Sequence, residues 1–193
     1  MKWFKLSVAV LLWMIVPALA RAQLEPSKHL EGYLGYRFGM VPTQIQDIAA
    51  GRLVRDVHSG LSEVVDYMTD QGRLTSPDGS VKDLPVGLCL SFYRGRLAGI
   101  TIQIPEQTDL AAATRLVGAL RTSLLAYYDA SLVQRDDWLP DRHQAVIMLY
   151  DSANGNAFWL LWDKETVLVC SMTGELIMLD PECQDLLPED PAN

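Results

Sequence analysis

The stretch Gly87-Leu88-Cys89-Leu90-Ser91-Phe92-Tyr93-Arg94-Gly95-Arg96-Leu97-Ala98-Gly99-Ile100-Thr101-Ile102-Gln103-Ile104 decides the fold. Leu88, Leu90 and Phe92 alternate with Gly87, Cys89, Ser91 and Tyr93. Beyond the turn at Arg94-Gly95, Ala98, Ile100, Ile102 and Ile104 alternate with Gly99, Thr101 and Gln103. A side-chain period of two with one apolar row describes a half-buried antiparallel pair. Pro105 ends the second strand, because proline has no N–H to give to a ladder. The period then changes. Leu110, Ala113, Val117, Leu120, Leu124 and Tyr127 recur at spacings of three and four, and Thr108 or Asp109 is placed to cap. This predicts an amphipathic helix over residues 109–128.

Upstream, Pro42 suits the first turn of a short helix, with Ile45, Ile48 and Ala49 on one face and Gly51 as its stop. Residues 23–31 read as an unanchored lead-in and residues 32–38 as an edge strand. Residues 53–57 and 61–68 can both be extended, although Leu61, Val64, Val65 and Met68 fit a helix face equally well. Residues 71–85 read as a loop around Ser76-Pro77-Asp78-Gly79. Downstream, residues 129–142 read as a polar loop around Trp138. Four strand-like runs follow at 145–150, 157–162, 166–172 and 175–179, with tight turns at Asn154-Gly155 and Thr173-Gly174. The fold class expected is α+β, with antiparallel sheets in two helix-plus-meander halves, about 33–104 and 108–179. In the second meander Phe158, Leu160 and Trp162 oppose Trp159 and Leu161, so both faces are apolar and both need cover. The long helix supplies one cover. The first half of the chain, a second copy or a partner supplies the other.

Residues 1–22 carry Lys2 and Lys5, an apolar run from Leu6 to Val16, Pro17, and small residues at Ala18, Ala20 and Ala22. This is the pattern of a secretory signal peptide cleaved after Ala22. Its apolar core is shorter than the ~20 residues of a membrane span. Residues 23–193 then form a single mature domain with an acidic tail at 180–193 and no transmembrane anchor. Removing Lys2, Lys5 and Arg21 takes the formal charge from −8 to −11. Such a chain repels nucleic acid and anionic headgroups and favours a basic partner. Of the three cysteines, Cys170 and Cys183 are the expected disulfide pair in an oxidising compartment, with Cys89 packed in its strand.

No Gly-x-Ser-x-Gly, His-Glu-x-x-His or Cys-x-x-Cys is present, and no phosphate-cradling glycine loop precedes a helix. No catalytic residue and no cofactor is implied. The candidate contact site is the segment Asp136, Asp137, Trp138, Asp141 and His143, an acidic cluster around an exposed aromatic that suits a protein partner. The same oxygens and imidazole are also of the type that holds a metal.

The run Gly35-Tyr36-Arg37-Phe38-Gly39-Met40-Val41-Pro42-Thr43-Gln44-Ile45 resembles the opening of small exported bacterial proteins, in which an aromatic-Gly-Met turn leads into a short helix. Phe92 to Ile100 resembles their later hairpin, and Leu116 to Tyr128 their second helix. The layout is similar to that of the BamE/SmpA-like α+β envelope modules. Val41 stands where a Ser or Thr cap is usual, and the lipid-attachment Cys is absent. The resemblance implies a non-catalytic binding or scaffolding module of the periplasm, acting on another envelope protein. Two further readings are an immunity or inhibitor protein that neutralises a periplasmic toxin or hydrolase, and a metal-dependent enzyme.

Overall fold

The computed structural model describes residues 26–56, 63–106, 109–179, 181–184 and 187. The expected signal peptide lies outside the described residues, as does most of the expected acidic tail. The decisive hairpin is formed by β5 (Leu84–Tyr93) and β6 (Arg96–Ile104), paired antiparallel. Arg94 and Gly95 both adopt positive φ, 50° and 76°. This is the twist-matched geometry of a two-residue hairpin turn. A bulge after the turn leaves Ala98 unpaired, so Leu97 takes the core row and Ala98 turns to the opposite face beside Val64 and Leu176.

Six further strands extend the pair: β3 (Val54–Asp56), β4 (Val64–Leu74), β7 (Val133–Leu139), β8 (Gln144–Asp151), β9 (Asn156–Asp163) and β10 (Thr166–Met172). The order is β3-β4-β5-β6-β10-β9-β8-β7, antiparallel throughout. The strands therefore form one eight-stranded sheet, beside a separate two-stranded ribbon of β1 (Gly32–Tyr33) and β2 (Tyr36–Arg37). Three expectations are corrected. Strand β4 continues to Leu74, through a bulge between Thr69 and Gly72, and the expected loop shrinks to residues 75–83. The bare Cα of Gly72 makes this possible, since a Cβ there would meet Val86 O at 2.9 Å. The expected loop around Trp138 is strand β7, flanked by 3-10 turns at Ala130–Leu132 and Pro140–Arg142. The expected strand at 175–179 is instead helix α3 (Gly174–Ile177, named after α1 and α2 below), because Thr173 caps it by accepting from the Leu176 N–H.

Helix α1 (Gln46–Ala49) follows a 3-10 turn at Pro42–Gln44, and α2 (Leu110–Tyr127) follows its cap Asp109, which accepts from the N–H groups of Ala111 and Ala112. Ala113, Val117, Leu120 and Leu124 of α2 share one buried core with Phe92, Ile100, Phe158 and Trp162. Over β6, β10, β9 and β8 this inner face of the sheet is covered by α2. The lead-in is anchored, contrary to expectation. Ser27 bridges to the end of α2, while Leu30 donates to Asp151 (3.2 Å) and accepts from Asn156 Nδ2 (2.6 Å). These bonds satisfy Asp151 and Asn156, both buried polar residues.

The loop at 75–83 is tied down by Asp78. Its backbone N–H donates to Ser123 Oγ of α2 (3.2 Å), and its carboxylate accepts from the Ser76 and Ser80 hydroxyls, each at 2.7 Å. Hydrogen bonds from Ser123, Ser80 and Ser76 hold the Asp78 carboxyl well below the usual carboxylate range. A depressed folded-state pKa stabilises the fold above the unfolded value, about 3.9, and that contribution fades as pH falls through the folded value. Asp78→Asn is therefore expected to lower the urea midpoint at neutral pH, with the gap to the wild type closing below about pH 4; a gap independent of pH contradicts this. Leu120→Ala, at a fully buried position, is expected to lose about 2–5 kcal/mol in the same assay.

Candidate functional site

The expected contact residues do not converge. Asp136 and Asp137 are neighbours on β7, so their side chains leave opposite faces of the sheet. Asp136 makes a two-pronged ion pair with Arg121 of α2, which pins the edge strand to the helix. Asp137 pairs with Arg135 on the other face (2.5 Å). Trp138 is half-buried and stacked on Trp162, with ring centroids 5.7 Å apart, and it lies over Gly118. His143 sits in the left-handed region after the 3-10 turn, its ring edge-on to Trp162 at 5.8 Å. Asp141 is exposed on that turn. Trp138 thus belongs to the core margin, and of the three acids Asp136 ties the edge strand to α2. Among the described residues no group of three His, Cys, Asp or Glu side chains is disposed to hold a metal.

The outer face of the sheet, opposite α2, carries the more distinctive site. Over β8, β9 and β10 that face is closed by the C-terminal segment. Ile177 of α3 packs with Met148, Trp159 and Cys170, and Cys183 and Leu187 lie against the same cluster. Helix α4 (Pro181–Gln184) brings Cys183 Sγ to 3.7 Å from Met172 Sδ. The expected Cys170–Cys183 disulfide is not formed. The physical reason is position: Cys183 sits over Met172, two residues further along β10 than Cys170. The cover by residues 174–179, 181–184 and 187 also replaces the expectation that the first half, a second copy or a partner covers this face of the second meander.

Over β4, β5 and β6 the same face is open. Outward positions there are Met68, Gly87, Cys89, Thr101 and Gln103, mostly small or polar, and β10 adds Leu168 opposite Gln103. They border a cavity of about 760 Å³. Gly87 leaves the floor low. Val54 on β3 is 68 % exposed and Met68 46 %, an unusual exposure for apolar strand residues. Asp70 and Gln71 stand at the rim. Burial, aided by the nearby Asp66 carboxylate, pushes the Cys89 thiol up to about 11. Cys89 is thus protonated at neutral pH and a poor nucleophile. The groove presents a floor that is largely apolar in exposed area, with the polar Asp70 and Gln71 at its rim.

The alternation of β5 and β6 is legible in the sequence, and the groove is not. The groove depends on the β6–β10 pairing, which brings Leu168 beside Gln103 from a distance in sequence that no local pattern reports. No protein-family model matches the chain, and no curated protein or solved structure matches it significantly. Among the described residues no helix is long and apolar enough to cross a membrane.

Gly99 faces the C-terminal cover, and a Cβ there would meet Leu176 Cδ2 at 2.7 Å. Gly99→Ala is expected to loosen α3 while sparing α2, read as faster hydrogen exchange in residues 174–179 only. Unchanged exchange there would contradict the proposed seat of the cover.

Proposed function

We propose that this chain is an exported, non-catalytic protein-binding or scaffolding module of the cell envelope, acting in the periplasm after loss of residues 1–22. The observation that carries the reading is the open groove on the outer sheet face, apolar at its floor and next to exposed Val54 and Met68. We read the chain as two helix-plus-meander halves: α1 with β3–β6, and α2 with β7–β10. The support is the repeated order of elements and the mirrored strand order about β6–β10. In the second half the chain's own C-terminal segment fills the outer face. In the first half the matching face is left for a partner. The same layout underlies the resemblance to BamE/SmpA-like modules and supports a scaffolding role.

A second reading, inhibition of a basic toxin or hydrolase, draws support from a carboxylate beside the groove. Asp70, at the rim of the groove, is exposed with no ion pair among the described residues, and a basic surface complements it.

Two measurements test the proposal. The intact mass of protein recovered from the periplasm of the native host is expected to correspond to a chain starting at Gln23; an uncleaved cytoplasmic chain contradicts export. A photo-crosslinking residue placed at Met68 is expected to capture a discrete protein partner in those cells, while one at Asp141 captures none. Capture from position 141 alone contradicts the groove as the binding surface.

A further inference from the structure

We infer that the free edge of β4 takes up an extended segment of the partner protein, added as a further strand that alternates apolar and basic side chains. This rests on the binding-module reading above and specifies its mode. Strand β4 runs from Val64 to Leu74, yet β3 pairs only with Asp66, Tyr67 and Met68. Among the described residues no strand lies along the outer edge of residues 69–74. A strand paired on one side turns every second N–H and C=O outward, which is a template for a further strand. The Gln71 N–H is already engaged by Thr69 Oγ1 (3.1 Å), so the register runs through the backbone groups flanking the bulge. The Arg73 side chain is directed to Asp83, along the hairpin rather than across the edge.

Two cavities flank this edge, and both are bordered by Arg52, Thr69 and Gln71. One is the outer groove of about 760 Å³; the other, about 330 Å³, reaches the inner side at Leu34, Leu53 and Val86. Successive side chains of an added strand point to opposite faces, so they enter the two cavities in turn. The inner cavity suits an apolar side chain. The outer one suits a lysine or arginine whose stem lies on the apolar floor and whose charge reaches Asp70. The nearby cations do not oppose it, since Arg52 is paired with Asp47 and Arg73 with Asp83. The acidic balance of the chain, −8 overall, favours the same occupant.

The test uses the full chain and a fluorescein-labelled nonapeptide of alternating valine and lysine, read by anisotropy. Two further peptides carry N-methyl groups on one or the other alternate set of amides. The wild type is expected to bind the parent peptide, to lose binding with one methylated set, and to retain it within about threefold with the other. Gly87→Leu, where a Cβ has 3.7 Å of clearance, fills the outer groove and is expected to weaken binding about tenfold. Asp70→Asn, at an exposed position that leaves folding intact, is expected to reduce the salt dependence. Equal binding of all three peptides, or of none, overturns the inference. So does a peptide-independent dimer with the β4 edge amides protected, which would make a second copy the occupant. If the peptides fail while crosslinks from position 68 persist, the edge mode falls and the binding-module reading stands.

Discussion

The antiparallel pairing of β6 with β10 is the constraint on which the rest of the structure depends. It runs from Ile104 opposite Val167 to Gly99 opposite Met172 and joins two meanders into one sheet. It makes both strands internal: β6 presents Ile100, Ile102 and Ile104 to the inner face, and β10 presents Val167 and Val169 to the inner face and Leu168, Cys170 and Met172 to the outer one. Each face must then be removed from water, because burying a large aliphatic or aromatic side chain contributes about 1.5–3 kcal/mol. Helix α2 meets the demand on the inner face through Ala113, Val117, Leu120 and Leu124. On the outer face the C-terminal segment meets it only in part. It leaves β10 by a backbone bond from the Thr173 N–H to Ala98 O (2.8 Å) and turns back over the sheet within one residue.

That short return decides where the molecule is open. Helices α3 and α4 are four residues each and reach across β10, β9 and β8, while Leu176 packs at the near end of β4, β5 and β6 with Val64, Tyr93 and Ala98. The far ends of β4, β5 and β6, around Met68, Gly87, Cys89 and Gln103, stay uncovered. The opening at that place follows from packing geometry rather than from an added motif. It also explains why the smaller residues Cys89 and Thr101 stand in a cross-sheet row that elsewhere carries Trp159 and Met148.

Much of the architecture is legible in the sequence, and the misses have physical causes. The hairpin and the long helix were readable because period two and period 3.6 are strong over many residues. Strand β7 was missed because an edge strand with Arg135, Asp136 and Asp137 hides its alternation behind charge, which is how edges are kept from pairing wrongly. Glu175 to Leu179 reads as a strand by composition, and the Thr173 cap overrides that preference. The Asp136–His143 segment reads as a cluster only in one dimension. Once β7 is a strand, adjacent acids diverge, and Trp138 is claimed by Trp162. The groove was not legible because its walls come from β3, β4, β5, β6 and β10, elements whose adjacency the local pattern does not encode.

The most direct measurement of this account compares the alkylation rates of Cys89 and Cys170 in the native chain, resolved by peptide mass spectrometry. The two thiols lie on the same face, in one cross-sheet row through Thr101. Burial pushes both thiols up to about 11, and normalising each native rate to that of the same cysteine in the unfolded chain reports access. Cys170 lies beneath the C-terminal cover and is buried, while Cys89 borders the groove. The account expects Cys89 to react at least about tenfold faster, a ratio set by local opening of the cover. Equal rates, or faster reaction at Cys170, would contradict a face closed over β10 and open over β5.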